Sequence, residues 1–126
     1  MSINVLVVDG SNETRMTLVE LLGTAGISSV TEASDFDGAI NQFGQSTYDA
    51  LLINWNASTQ GNRSLVQELR QTGTNTNVPI FVITTETDTE VAQQTHGNHA
   101  TEYITTPFDA QWLQEKLNMH LSTATS

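Results

Sequence analysis

Five short apolar runs recur along the chain at steady intervals: Ile3–Val8, Val30–Ala33, Ala50–Ile53, Ile80–Ile83 and Tyr103–Ile104. Taken together the runs are short, β-branched and nearly continuous. That pattern suits strands covered on both faces, as in a parallel sheet, rather than half-solvated strands, which alternate. The stretches between them carry helical spacing. Leu18, Leu21, Leu22 and Ala25 follow i, i+3, i+4, i+7, and Leu113, Leu117 and Leu121 follow i, i+4, i+8. Leu65, Val66 and Leu69 mark another helix, and Ala39, Ile40 and Phe43 a weaker one. Around Thr89–Thr95 only Val91 and Ala92 are apolar anchors, so the fourth helix is expected to be the least stable. Asn12 is placed to cap the first helix and Gly26 to end it. Asp109 is placed to cap the last, expected to run to about Leu121 before a frayed tail, Ser122–Ser126. Five strands alternating with five helices imply an α/β fold: a doubly wound, open parallel sheet with right-handed crossovers. Residues 1–126 are read as one domain with its core over about residues 3–121.

Composition removes whole classes of function. There is no cysteine, which excludes disulfides, thiol nucleophiles and cysteine-ligated metals. Fourteen acidic against four basic residues give a formal charge of −10, which repels nucleic-acid backbones and anionic lipid, so neither is an expected partner. No apolar run approaches a transmembrane length, and Met1–Asp9 lacks the basic start of a secretory signal; the chain reads as cytoplasmic. Charged residues are scarce at 14%, and Ser, Thr, Asn and Gln supply much of the polar surface. There is no G-x-G-x-x-G or Walker sequence, no cofactor is expected, and His96 and His99 in the segment HGNH are read as a solvated loop rather than a metal site.

In an open parallel sheet the chemistry gathers beyond the carboxyl ends of the strands. Those ends carry Asp9–Gly10, Asn54–Trp55, Thr84–Thr85 and Thr105–Thr106, within the segments VLVVDGSNETR, YDALLINWN, VPIFVITTET and EYITTPF. In order and spacing these four segments resemble the receiver domains of bacterial response regulators, the chemotaxis type in particular, over about residues 3–121. The resemblance implies a flavodoxin-like five-stranded sheet of order 2-1-3-4-5. It also implies a magnesium-dependent phosphoacceptor pocket: an acidic pair after strand 1, an Asp after strand 3, a Thr or Ser after strand 4, and a Lys before a cis-Pro after strand 5.

Carried over position by position, the pocket of this chain is altered. Asp9 matches the first acid, but Gly10 stands where the second belongs. Asn54 holds the acceptor position, Thr84 matches the hydroxyl residue, and Thr106 replaces the lysine, while Pro107 and Phe108 follow the family pattern. A carboxamide does not replace a carboxylate nucleophile at neutral pH. Asp9, the Asn54 side-chain oxygen and the Asn56 carbonyl would bring one negative charge to a cation that prefers several anionic oxygens. Glu13 and Glu86 are candidates to restore some of that charge at the mouth. A lysine without its carboxylate partners would be costly to bury, so Thr106 suits the altered surroundings. Hydrogen bonds among Asp9, Asn54, Thr84 and Thr106 are expected to hold a single arrangement.

The functional expectation is therefore an atypical receiver in two-component signalling, with no catalytic or metal-ligating residues. It would bind a protein partner (a kinase, a regulator or an output domain) or itself, independently of phosphorylation. The resemblance places that surface on helix 4, strand 5 and helix 5, where Tyr103 matches the family's switch aromatic and Trp112, Lys116 and Met119 lie along one stripe of the last helix. Two alternatives stand beside it: a small-ligand or anion sensor using the emptied pocket, and a weak, non-standard phosphoacceptor.

Overall fold

The computed structural model describes residues 3–27, 29–61, 63–71 and 77–125, with the backbone alone for Asn98 and residues 121–125. Strands β1 (Asn4–Val8), β2 (Ser29–Ala33), β3 (Ala50–Asn54), β4 (Ile80–Thr84) and β5 (Glu102–Thr105) form one parallel sheet. Its order is β2-β1-β3-β4-β5, the doubly wound arrangement that the resemblance implied. Register follows burial: Val5–Val8 of β1 pair with Ala50–Ile53 of β3, and the side chains of both segments are buried. The edge strands differ from expectation. Residues 29–32 of β2 and Glu102, Tyr103 and Thr105 of β5 keep some exposure, because an edge strand is covered less completely than a central one.

Helices α1 (Asn12–Thr24) and α5 (Ala110–Thr125) cover one face of the sheet, where Leu18, Leu22, Leu113 and Leu117 pack on Val5, Leu52, Phe81 and Ile83. Helices α2 (Phe36–Gln45), α3 (Leu65–Gln71) and α4 (Thr89–His96) cover the other, through Phe36, Phe43, Leu65, Leu69 and Ala92 against Leu6, Leu51, Ile53 and Val82. A short antiparallel ladder, Thr59–Gln60 with Arg63–Ser64, lies between β3 and α3. Among the described residues no helix is long and apolar enough to cross a membrane.

Several local expectations are corrected. The cap of α1 is Ser11, whose hydroxyl accepts from the Thr14 N–H, and Asn12 is the first helical residue. Gly26 ends the helix as expected, at φ +93°, where a Cβ would be strained. Asp109 caps α5 through the Trp112 N–H at 2.8 Å. That helix continues to Thr125, through most of the segment expected to fray, while the Leu121 side chain and Ser126 lie outside the described residues. In α4 Ala92 is buried but Val91 is half exposed, so a single apolar anchor holds the middle of the helix. The Thr106–Pro107 bond is cis, as the resemblance implied.

Candidate functional site

Three adjacent strands, β1, β3 and β4, end side by side and deliver Asp9, Asn54 and Thr84 to one edge of the sheet. Asp9 follows β1 directly and is fully buried. A buried carboxylate costs free energy unless its lone pairs are matched by donors, and here both oxygens are. Oδ1 accepts from the Ser11 N–H at 2.9 Å and from the Asn56 Nδ2 at 2.9 Å. Oδ2 accepts from the Thr14 hydroxyl at 2.6 Å and from the Asn54 Nδ2 at 3.1 Å. All four donors are uncharged.

The donors are themselves held. The Asn54 side-chain oxygen accepts from the Asn56 N–H at 3.3 Å, which orients the Asn54 amide so that its NH2 faces Asp9. The Asn56 side-chain oxygen accepts from the Gly10 N–H at 3.0 Å, and its NH2 also turns to Asp9. Arg15 braces the backbone from outside, donating from Nη1 to the Asp9 carbonyl at 2.9 Å and from Nε to Glu32 at 2.9 Å. A Cβ at Gly10 would meet the Asn56 oxygen at 3.5 Å, ordinary contact, so sterics do not demand the glycine.

Thr84 takes no part in this cluster. Its buried hydroxyl pairs with that of Thr89, the first residue of α4, at 2.7 Å. Thr106 turns to the Thr84 backbone, its N–H donating to that carbonyl at 2.9 Å. The four-residue network expected from the sequence is thus two separate sets, Asp9 with Asn54 and Thr84 with Thr106. Short, two-carbon side chains on neighbouring strand ends satisfy their nearest backbone and loop partners before they span the cleft. Between the two sets lies a cleft of about 330 Å³ bounded by Thr14, Asn54, Asn56, Thr84, Asp88 and Thr106. It adjoins a more apolar one of about 240 Å³ formed with Leu18, Leu21, Pro107 and Phe108. Glu13 and Glu86 line neither cleft, and among the described residues no group of three or more His, Asp or Glu side chains is disposed to hold a metal ion.

Sequence reasoning missed Ser11, Thr14 and the Asn56 side chain. Thr14 is five residues beyond Asp9, within the first turn of α1, and Asn56 is two beyond Asn54; both offsets are visible in the sequence once Asp9 is assumed to need donors. It also misjudged His96. That residue is the last of α4 and fully buried, with its Nδ1 2.5 Å from the Ser64 hydroxyl and its ring edge-on to Trp55 at 5.6 Å. Burial, with a smaller contribution from His99, pushes its pKa down to about 4. The other histidine of the pair, His99, is exposed as expected.

On the edge formed by α4, β5 and α5, Tyr103 is half-buried and donates its hydroxyl to the Gly97 carbonyl at 2.7 Å. Trp112 is half-buried, packs on Phe108 at 5.6 Å, and has the Lys116 Nζ 5.4 Å above its ring. Lys116 also reaches Glu102 at 2.5 Å, and His120 approaches the other Glu102 oxygen at 2.9 Å. Burial favours the neutral Glu102 carboxyl, but the hydrogen bonds from Lys116 and His120 outweigh it and hold its pKa below the ordinary value. Tyr103 and Trp112 flank a groove of about 430 Å³ that Pro107, Phe108 and Asp109 complete, and Met119 is well exposed on α5.

Residues 5–118 match the family described as the response regulator receiver domain. Chemotaxis protein CheY of Pseudomonas aeruginosa is 25% identical over 113 residues, spanning 90% of this chain and 91% of that protein. Chemotaxis protein CheY-3 of Vibrio cholerae is 26% identical over 117 residues, spanning 93% and 90%. Among solved structures, the receiver domain of a Pseudomonas aeruginosa sensor histidine kinase, with magnesium in its active-site cleft, superposes with a TM-score of 0.84 at 20% identity over 97% of this chain and 99% of that one. A Francisella response regulator receiver domain gives 0.78 at 25% identity over 99% and 100%.

Proposed function

The chain belongs to the response regulator receiver domain family, and from that premise we propose that it is an atypical receiver, engaging its signalling partner without being phosphorylated. The observation that carries this reading is the filled coordination of Asp9. Its lone pairs are occupied by N–H and O–H donors, and the Asn54 and Asn56 amides turn their NH2 groups toward the carboxylate. A magnesium ion would have to displace these donors and would meet amide hydrogens in place of anionic oxygens, so the residues present do not fit it. Asn54 offers no carboxylate for an acyl phosphate, and no Lys or Arg is among the described residues lining the cleft to compensate a phosphoryl charge.

Output then falls to the α4–β5–α5 edge, with Tyr103 and Trp112 as aromatic anchors beside the groove and Lys116 and Met119 on the same helix as Trp112. With no differential input at Asp9 there is nothing to bias two states, so partner binding is constitutive. The experiment incubates the full chain with acetyl phosphate and millimolar magnesium, then reads intact mass and partner affinity. The expected result is unchanged mass and an affinity that treatment does not alter; an 80-dalton adduct, about one phosphoryl group, would overturn the reading. The two adjoining clefts favour one further possibility, a small uncharged ligand with a polar and an apolar end. An anion suits them poorly, since Asp88 is the charged residue among their described lining.

A further inference from the structure

Contacts on the far side of Asn54 lead from the end of β3 to the edge of the sheet. Asn54 opens a single 3-10 turn, Trp55–Ala57, and Trp55 meets the buried His96 edge-on. His96 closes α4 and is bonded to Ser64, in the short ladder that precedes α3. The next residue, Gly97, sits at φ +59° and gives its carbonyl to the Tyr103 hydroxyl. Thr84, in contrast, spends its hydroxyl on Thr89, and among the described residues no hydrogen bond joins it to Tyr103.

We propose that His96 is a positioning residue that ties the loop after β3 to the Tyr103 edge, in place of a link through the Thr84 hydroxyl. Two features give the tie its rigidity. The imidazole is fully buried, so its orientation is set by packing against Trp55. Its Nδ1 has a partner, Ser64, on a different element from either end of the link. Its Nε2 is buried with no hydrogen-bond partner among the described residues, a cost tolerated where the ring is held for another reason. Glycine at position 97 lets the chain turn sharply directly after the ring, which presents the carbonyl to Tyr103. A shift of Trp55 would therefore be passed through the ring to Gly97 and to the tyrosine. Spatial contiguity alone does not demonstrate coupling, so the test measures transmission itself.

The inference deepens the reading above only in taking the α4–β5–α5 edge as the interaction surface. The tie is measured with no partner and no phosphodonor, so either idea can fail alone. The full chain is labelled with 15N, and Asn54→Asp serves as the perturbation at the site. In the otherwise native chain this substitution should move the amide resonances of Trp55, Gly97 and Tyr103. In the His96→Leu background, the same perturbation should still move Trp55 and leave Gly97 and Tyr103 in place. In the Thr84→Val background all three should still move. Should His96→Leu fail to fold, Ser64→Ala, which frees the ring's Nδ1, carries the same comparison. Transmission that persists without His96 or Ser64, that disappears with Thr84→Val, or that is absent from the native background would overturn the proposal.

Discussion

At the scale of single residues, Asn54 and Asp9 meet through one N–H···O bond of 3.1 Å. Exchanging that amide for a carboxylate would set two negative groups in contact where one is already fully buried. We expect Asn54→Asp to lower stability at pH 7 by about 2 kcal/mol, through lost hydrogen bonding and like-charge repulsion. The deficit relative to the native chain should shrink as pH falls into the carboxylate range, because joint ionisation raises the folded-state pKa of the pair and the folded state then binds the extra proton more readily. Urea titrations of both proteins at pH 7 and 4.5 check the amount and the sign. Thr14→Val removes the shortest of the four bonds to Asp9 and should cost about 1–3 kcal/mol, since a buried acceptor loses a partner. Asp9, Gly10, Asn54, Thr84 and Thr106 were legible in the sequence as strand-end residues. Which of them touch was not, because an amide can present either end and only the Asn56 N–H decides that Asn54 turns its NH2 inward.

Elements were more legible than contacts. The five strands stood out because a run such as Ala50–Ile53 is apolar at every position, and none of the described helices is. Boundaries were read less well where two residues compete for one job: Ser11 and Asn12 are both good caps, and the backbone chose the first. The weak patterning of α4 hid His96, a core residue of that helix that carries polar atoms and so looked like loop. Helix α5 depends on a cap that the sequence did display. Asp109→Ala removes the acceptor for the Trp112 N–H and should destabilise the protein by about 1 kcal/mol, with faster hydrogen exchange confined to the first turn of α5. Loss of that size without local exchange would mean that Asp109 acts through something other than the cap.

For the molecule as a whole, charge and pH set the stability profile. His96 has its pKa lowered from 6.5 to about 4 by burial, so the folded state prefers the neutral ring. The unfolded chain takes up the proton first as pH falls. Stability from this group is therefore complete above about pH 6.5 and declines toward pH 4, by roughly 3 kcal/mol in total. Glu102, held below its ordinary pKa, adds a loss that begins lower, where the unfolded carboxyl protonates. A His96→Leu chain that remains folded should lose most of the slope between pH 6.5 and 5, measured by chemical denaturation. A net charge of −10 makes the folded state repel itself, so thermal stability should rise as ionic strength approaches about 0.15 M, where the Debye length is about 8 Å. Among these charges Lys116 stands alone in kind, as the chain's only lysine, held between Glu102 and the face of Trp112. Amine-directed acylation therefore has one side chain to find, at the edge where a partner is proposed to sit. Its rate becomes a footprint of that edge: slow while the carboxylate clasps the ammonium, faster when the clasp opens, and suppressed when another protein covers it.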